Sequence, residues 1–213
     1  MNMTDMSPSD SEIDHSLNDP HVPHRLFLLT LAFEASLAVV AVAIGWLFGF
    51  NPLATWRWVW VDVAWGLLAT LPLVVALWFM DRYPFGPLIR LRQLVRETVV
   101  PLFRGMTLWQ LAAIALAAGV GEELLFRGLL QGGVDTLFAR WLSPQMAMAA
   151  ALLAASVLFG LMHMISVTYA VLCFVMGLYL GGIWLATGNL LTPALVHGLY
   201  DLAALAYLLH RNK

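Results

Sequence analysis

The chain has 213 residues, of which 61% are hydrophobic and only 11% are charged, and its mean hydropathy is +0.81. This composition excludes an ordinary water-soluble domain, in which about 25% of residues are charged. The net charge of −2 predicts no nucleic-acid partner, and the single cysteine excludes intramolecular disulfides and CxxC metal motifs. We therefore predict an integral membrane protein.

The chain begins with a polar stretch, residues 1–24, which has no apolar periodicity. It carries five acids and no Lys or Arg before Arg25, so it lacks the basic region of a cleaved signal peptide. We predict a disordered acidic tail over 1–24 and one transmembrane domain over 25–213.

A helix needs about 20 apolar residues to cross the hydrocarbon core of a bilayer. Six stretches approach this length: Leu26–Phe50, Trp58–Met80, Met106–Gln131, Gln145–Ile165, Val167–Thr187 and Leu190–Leu209. The sequence therefore predicts an all-α, polytopic transmembrane bundle with about six membrane segments. A short or re-entrant helix near 128–142 would make a seventh.

The connection between the second and third segments has arginines interleaved with apolar residues: Arg82, Arg90, Arg92, Arg96 and Arg104. This pattern is typical of an amphipathic helix at the membrane interface. The positive-inside rule places it on the cytoplasmic side and, with six crossings, puts both termini there. Gly177, Gly181 and Gly182 predict a small-residue face for close helix packing.

Three clusters of polar residues interrupt the last four segments. "EELLFR" puts Glu123 and Arg127 one helical turn apart, and Glu122 points about 100° away. "FGLMH" ends in His163, and "HGLYD" puts His197 and Asp201 on one helical face.

Each cluster also has a structural interpretation, since a Glu-Arg pair can fix helix packing and a lone histidine is often only packed or interfacial. Ionisable groups inside a membrane are costly unless paired or hydrated, so six of them in three segments favour function. The chemistry that they suit is water activation, with a carboxylate as general base and imidazoles beside it.

With these motifs the chain resembles the CPBP intramembrane proteases, also called Abi or type II CAAX prenyl endopeptidase-like proteins. Their pattern is Glu-Glu-x-x-x-Arg, then Phe-x-x-x-His, then His-x-x-x-Asn or Asp, and the resemblance covers about residues 106–209. It implies that Glu122 and His163 activate water and that Glu123 and Arg127 hold the site together. It also implies that His197 and Asp201 stabilise the oxyanion. Because an ionised acid cannot donate a hydrogen bond, orienting His197 suits Asp201 better.

Zinc is the alternative to a metal-free site, since Glu122, His163 and His197 would form a His₂Glu ligand set. The resemblance favours no cofactor. Two further acids, Glu34 and Asp62, are expected to face the bundle interior, protonated or hydrated, with a role in substrate entry as the alternative.

The leading hypothesis is an intramembrane endopeptidase that cuts a membrane-associated protein or peptide in a bacterial plasma membrane. A non-catalytic bacteriocin-immunity or scaffold protein of the same fold is the first alternative, and a proton-coupled transporter is the second. The sequence predicts the lipid bilayer as a partner and indicates no oligomeric state.

Overall fold

The computed structural model describes residues 22–211, and all regular secondary structure in that range is helical. Five helices are long and apolar enough to cross a membrane: α1 (Val22–Leu47), α2 (Trp60–Arg82), α7 (Pro144–Met162), α8 (Val167–Thr187) and α9 (Leu191–Arg211). Their outer faces expose large apolar side chains, such as Trp46 at 80% and Val171 at 54%. The polytopic helical bundle is confirmed, and the protein is an integral membrane protein.

Shorter helices lie between α2 and α7. α3 (Pro87–Leu94) continues through π-helical turns (Val95–Val99) into α4 (Val100–Phe103). After a bend of 110°, α5 (Leu108–Glu123) continues through a second π-helical stretch (Leu124–Gln131) into α6 (Gly132–Phe138). A sixth crossing exists if this bent pair counts as one span.

The third segment is longer than predicted, and no separate helix forms at 128–142. Helical conformation is unbroken from Leu108 to Phe138, despite Gly132 and Gly133, and the sharp break lies instead at 104–107. In an apolar surrounding every backbone N–H and C=O needs a partner within the helix, so glycines interrupt helices less than they do in water. Glu122 consequently lies near the middle of the third segment and can meet His163 on the returning α7.

The predicted tail over 1–24 is described only in part. Residues 1–21 lie outside the described residues, and residues 22–24 form the first turn of α1.

The predicted glycine face on α8 is confirmed at two of its three positions. A Cβ on Gly177 would lie 3.0 Å from Ser156, and one on Gly181 would overlap Leu152. Gly182 faces open space, with nothing within 4 Å of its added Cβ, so its place in that face was wrong.

The connection between α1 and α2 packs over one end of the bundle. An added Cβ on Gly128 would lie 2.6 Å from the Pro52 carbonyl oxygen. Asn189, in the α8–α9 connection, donates from Nδ2 to the Arg57 carbonyl and to Asp62, both at 2.8 Å. Asp62 therefore faces the bundle and has a structural partner.

At the opposite end, Asp81 joins the last turn of α2 to α9 and α3. Its carboxylate pairs with Arg211 and accepts from the Tyr207 hydroxyl at 2.8 Å, while its backbone carbonyl accepts from Arg92 at 3.2 Å. This network connects the arginine-rich segment, residues 82–104, to the helices that carry the polar residues.

Candidate active site

The polar core of the bundle starts from the end of α5 and the π-helical stretch after it. Arg127 Nη1 donates to Glu123 Oε1 at 2.7 Å, and Nη2 donates to the Gly177 carbonyl at 3.0 Å. Both charged side chains are buried, at 1% and 0% exposure. The predicted pair therefore forms, and Arg127 also lies over the Phe159 ring at 4.8 Å.

Glu123 has a second partner that spacing along the chain did not indicate. Its Oε1 lies 2.9 Å from His197 Nδ1 on α9. A carboxylate accepts, so His197 donates from Nδ1 and its Nε2 faces away from Glu123. Nε2 lies 3.4 Å from Asp201 Oδ2 and 4.0 Å from Glu122 Oε2.

His163 caps the end of α7 and is fixed by its own helix. Its Nδ1 lies 2.8 Å from the Phe159 carbonyl oxygen, and its ring lies over the Phe159 ring with centroids 4.5 Å apart. Since a carbonyl oxygen only accepts, Nδ1 carries the hydrogen. The other nitrogen, Nε2, points at Glu122 Oε2 from 3.5 Å.

Glycine makes the meeting of α5 and α9 possible. An added Cβ on Gly119 would lie 2.6 Å from the Ala194 carbonyl oxygen and 2.7 Å from the Gly198 nitrogen. The two backbones are therefore in direct contact one turn before Glu122 and beside His197. Any larger residue at position 119 would separate the carboxylate from the imidazole.

Residues 104–203 match the family model described as "Type II CAAX prenyl endopeptidase Rce1-like". The match covers 100 of the 213 residues, and over this region the chain is similar to the Rce1-like family. The searches of curated proteins and of solved structures found no match. All six candidate residues lie inside the Rce1-like region, whereas α1, α2 and α3 precede it.

A cavity of about 610 Å³ adjoins the candidate site. The residues that line it include Glu122, His163, His197 and Asp201, and also residues of the second half of α2 and of α3. Most of the remaining lining is apolar, including Leu73, Phe103 and Leu205. The site is thus reached through an apolar space that faces the arginine-rich segment.

The predicted site residues come together, but the sequence analysis missed other groups that line the same cavity. Tyr169 and Tyr200 line it beside the histidines, and Glu34 reaches it from α1. Glu34 and Asp62 were considered together from the sequence, but only Glu34 lines this cavity. No local spacing distinguishes the two, because the difference depends on what each helix packs against: α1 contacts α5 beside Glu34, whereas Asp62 accepts a hydrogen bond from Asn189.

Zinc is the alternative cofactor that the sequence allows at this site. Within residues 22–211, no group of three or more His, Cys, Asp or Glu side chains is placed to hold a metal ion. His197 donates from Nδ1 to Glu123, which leaves Nε2 of its ring facing Glu122 and Asp201.

Proposed function

We propose that this protein is an intramembrane endopeptidase that hydrolyses a peptide bond with water activated by Glu122 and His163. One observation supports the proposal: His163 bonds through Nδ1–H to the Phe159 carbonyl and turns Nε2 toward a carboxylate oxygen 3.5 Å away. In the neutral ring that the proposal requires, Nε2 is an acceptor. Two acceptors cannot hydrogen-bond to each other. A water molecule has two O–H groups and can donate one to each.

A water about 2.8 Å from both acceptors fits this spacing with ordinary hydrogen-bond lengths. Glu122 takes one proton as the water oxygen attacks the carbonyl carbon of the scissile bond. The C=O π electrons move to the oxygen, which becomes the oxyanion. When the C–N bond breaks, the proton held by Glu122 passes to the leaving nitrogen, so atoms and charges balance.

His197 is the group best placed to stabilise the oxyanion. Its Nδ1–H is committed to Glu123, so it can donate from Nε2 only as the doubly protonated imidazolium. The carboxylates of Glu122 and Asp201 face that nitrogen and suit this cationic ring. In this proposal Asp201 balances the charge of the imidazolium from 3.4 Å and leaves the single Nε2–H for the oxyanion.

Glu123 and Arg127 are positioning residues in this proposal. Neither lines the cavity, and both are fully buried. Glu123 fixes the ring of His197, and Arg127 holds Glu123 while bonding to the backbone of α8. The match to an endopeptidase family over residues 104–203 supports this function over the immunity or scaffold alternative.

The substrate is a membrane-associated protein or peptide, since the cavity is largely apolar and lies within a bilayer-spanning bundle. We propose that the reaction needs no cofactor.

The test is Glu122→Gln, which keeps the shape of the side chain but removes the proton acceptor. We expect the rate of cleavage of a library of internally quenched apolar peptides by the purified protein to fall on the order of 10²-fold or more. Glu97→Gln is the matched control, because Glu97 is exposed on the π-helical turns and bonds to Gln93. A chelator should leave the wild-type rate unchanged.

Unchanged cleavage by the Glu122→Gln variant, or no cleavage of any peptide by the wild type, would contradict the proposal. Loss of activity with a chelator and its return with zinc would instead assign Glu122, His163 and His197 as ligands.

A further inference from the structure

Glu34 is an acid in the cavity that the proposed reaction does not use. It lies near the middle of α1, outside the region that matches the Rce1-like family, and lines the cavity with Glu122, His163, His197 and Asp201. Its Oε2 atom is buried and has no hydrogen-bond partner among the described residues. An unpartnered carboxylate oxygen in an apolar surrounding is costly unless it is protonated, hydrated or paired with a cation.

The position of Glu34 is fixed by contact between two backbones. A Cβ on Gly121 would overlap the Glu34 carbonyl oxygen and lie 3.4 Å from Leu37 Cβ. α1 therefore touches α5 at the residue directly before Glu122. Close contact between two helix backbones thus places Glu34 beside the site, just as it places His197 there.

The charges around the site do not balance. One guanidinium and two imidazoles face four carboxylates: Arg127, His163 and His197 against Glu34, Glu122, Glu123 and Asp201. With all four carboxylates ionised, one negative charge has no counterpart among these groups even when both imidazoles are protonated. The other cation that lines the cavity, Arg92, bonds to the Asp81 carbonyl at the far end.

We infer that Glu34 forms a cation-binding subsite beside the scissile bond, which takes a lysine or arginine side chain or the free amino group of the substrate. The inference rests on the proposed endopeptidase function and names its substrate class: an apolar segment with a basic group near the cleavage position. A cation there would pair with Glu34 and supply the missing positive charge. In a site of low dielectric such a pair is much stronger than on a protein surface.

The experiment compares peptides from the quenched library that differ at one residue. Lysine, acetyl-lysine and norleucine are placed in turn at each position from three before to three after the cleaved bond. At one position we expect wild-type protein to cleave the lysine peptide with a kcat/KM on the order of 10- to 100-fold above its acetyl-lysine match. This comparison needs no variant, so it does not depend on how well a variant folds.

Glu34→Gln should abolish that preference while the norleucine peptide is still cleaved, and Glu97→Gln should preserve it. The inference is overturned if wild-type protein treats lysine and acetyl-lysine alike at every position, or if Glu34→Gln keeps the preference. Glu122→Gln separates this failure from that of the proposed function: a variant that still cleaves norleucine peptides refutes the endopeptidase, whatever Glu34 does.

Discussion

Replacing Arg127 with alanine tests whether the buried ion pair holds the site together. The change removes the guanidinium that donates to Glu123 and to the Gly177 carbonyl and leaves a carboxylate in a site with 0% exposure. Breaking a buried pair by removing one partner costs about 3–5 kcal/mol. The lower part of this range applies, because His197 Nδ1 still donates to the same Glu123 oxygen.

A loss of about 3 kcal/mol corresponds to a fall in melting temperature of roughly 6–12 °C for a chain of this size. Thermal unfolding of the detergent-solubilised protein, followed by the fluorescence of its 9 tryptophans, measures it. Arg140→Ala is the control, since this exposed arginine follows α6, away from the buried pair, and its loss should shift the melting temperature little.

The double variant Arg127→Ala with Glu123→Gln sharpens the test. With the unpaired charge also removed, it should be less destabilised than the sum of the two single variants. A melting temperature for Arg127→Ala within about 2 °C of wild type, or strict additivity in the double variant, would refute the pairing as a source of stability.

Two other changes test how the site is assembled. Gly119→Ala places a methyl group 2.6 Å from the Ala194 carbonyl oxygen. We expect this variant to lose about 1–3 kcal/mol of stability and most of its peptide cleavage. Gly133→Ala is the control and should be neutral in both assays, because nothing lies within 4 Å of its added methyl group. Asp201→Asn keeps an acceptor near His197 Nε2, so the cleavage rate should stay within about tenfold of wild type. A fall in the rate like that of Glu122→Gln would show that the charge of Asp201 is essential.

Local patterns in the sequence predicted the contacts between residues of the same helix. Spacing of four residues predicted that Glu123 pairs with Arg127 and that His197 and Asp201 share a face, and both contacts are present. The membrane-crossing segments were predicted from the length of the apolar stretches alone, because a helix needs about 20 apolar residues to cross a bilayer, whatever their order.

What the sequence did not predict depends on which helix faces meet. The bond between Glu123 and His197 joins residues 74 apart, and it exists because Gly119 lets two backbones touch. Glu34 reaches the cavity for the same reason, through Gly121. A glycine within an apolar helix has several interpretations in a sequence, and only the packed structure shows which partner it admits.

The packing of the α1–α2 connection against Gly128 has a consequence for the side of the bundle from which a substrate can enter. This connection and the Asn189 hydrogen bonds cover the end of the bundle opposite the arginine-rich segment. The cavity extends from the site toward that segment and the final turns of α2 and α9. For the proposed protease, this arrangement predicts that the substrate enters and the fragments leave on the side of the arginine-rich segment, so the scissile bond of a membrane-anchored target should lie on that side of the bilayer.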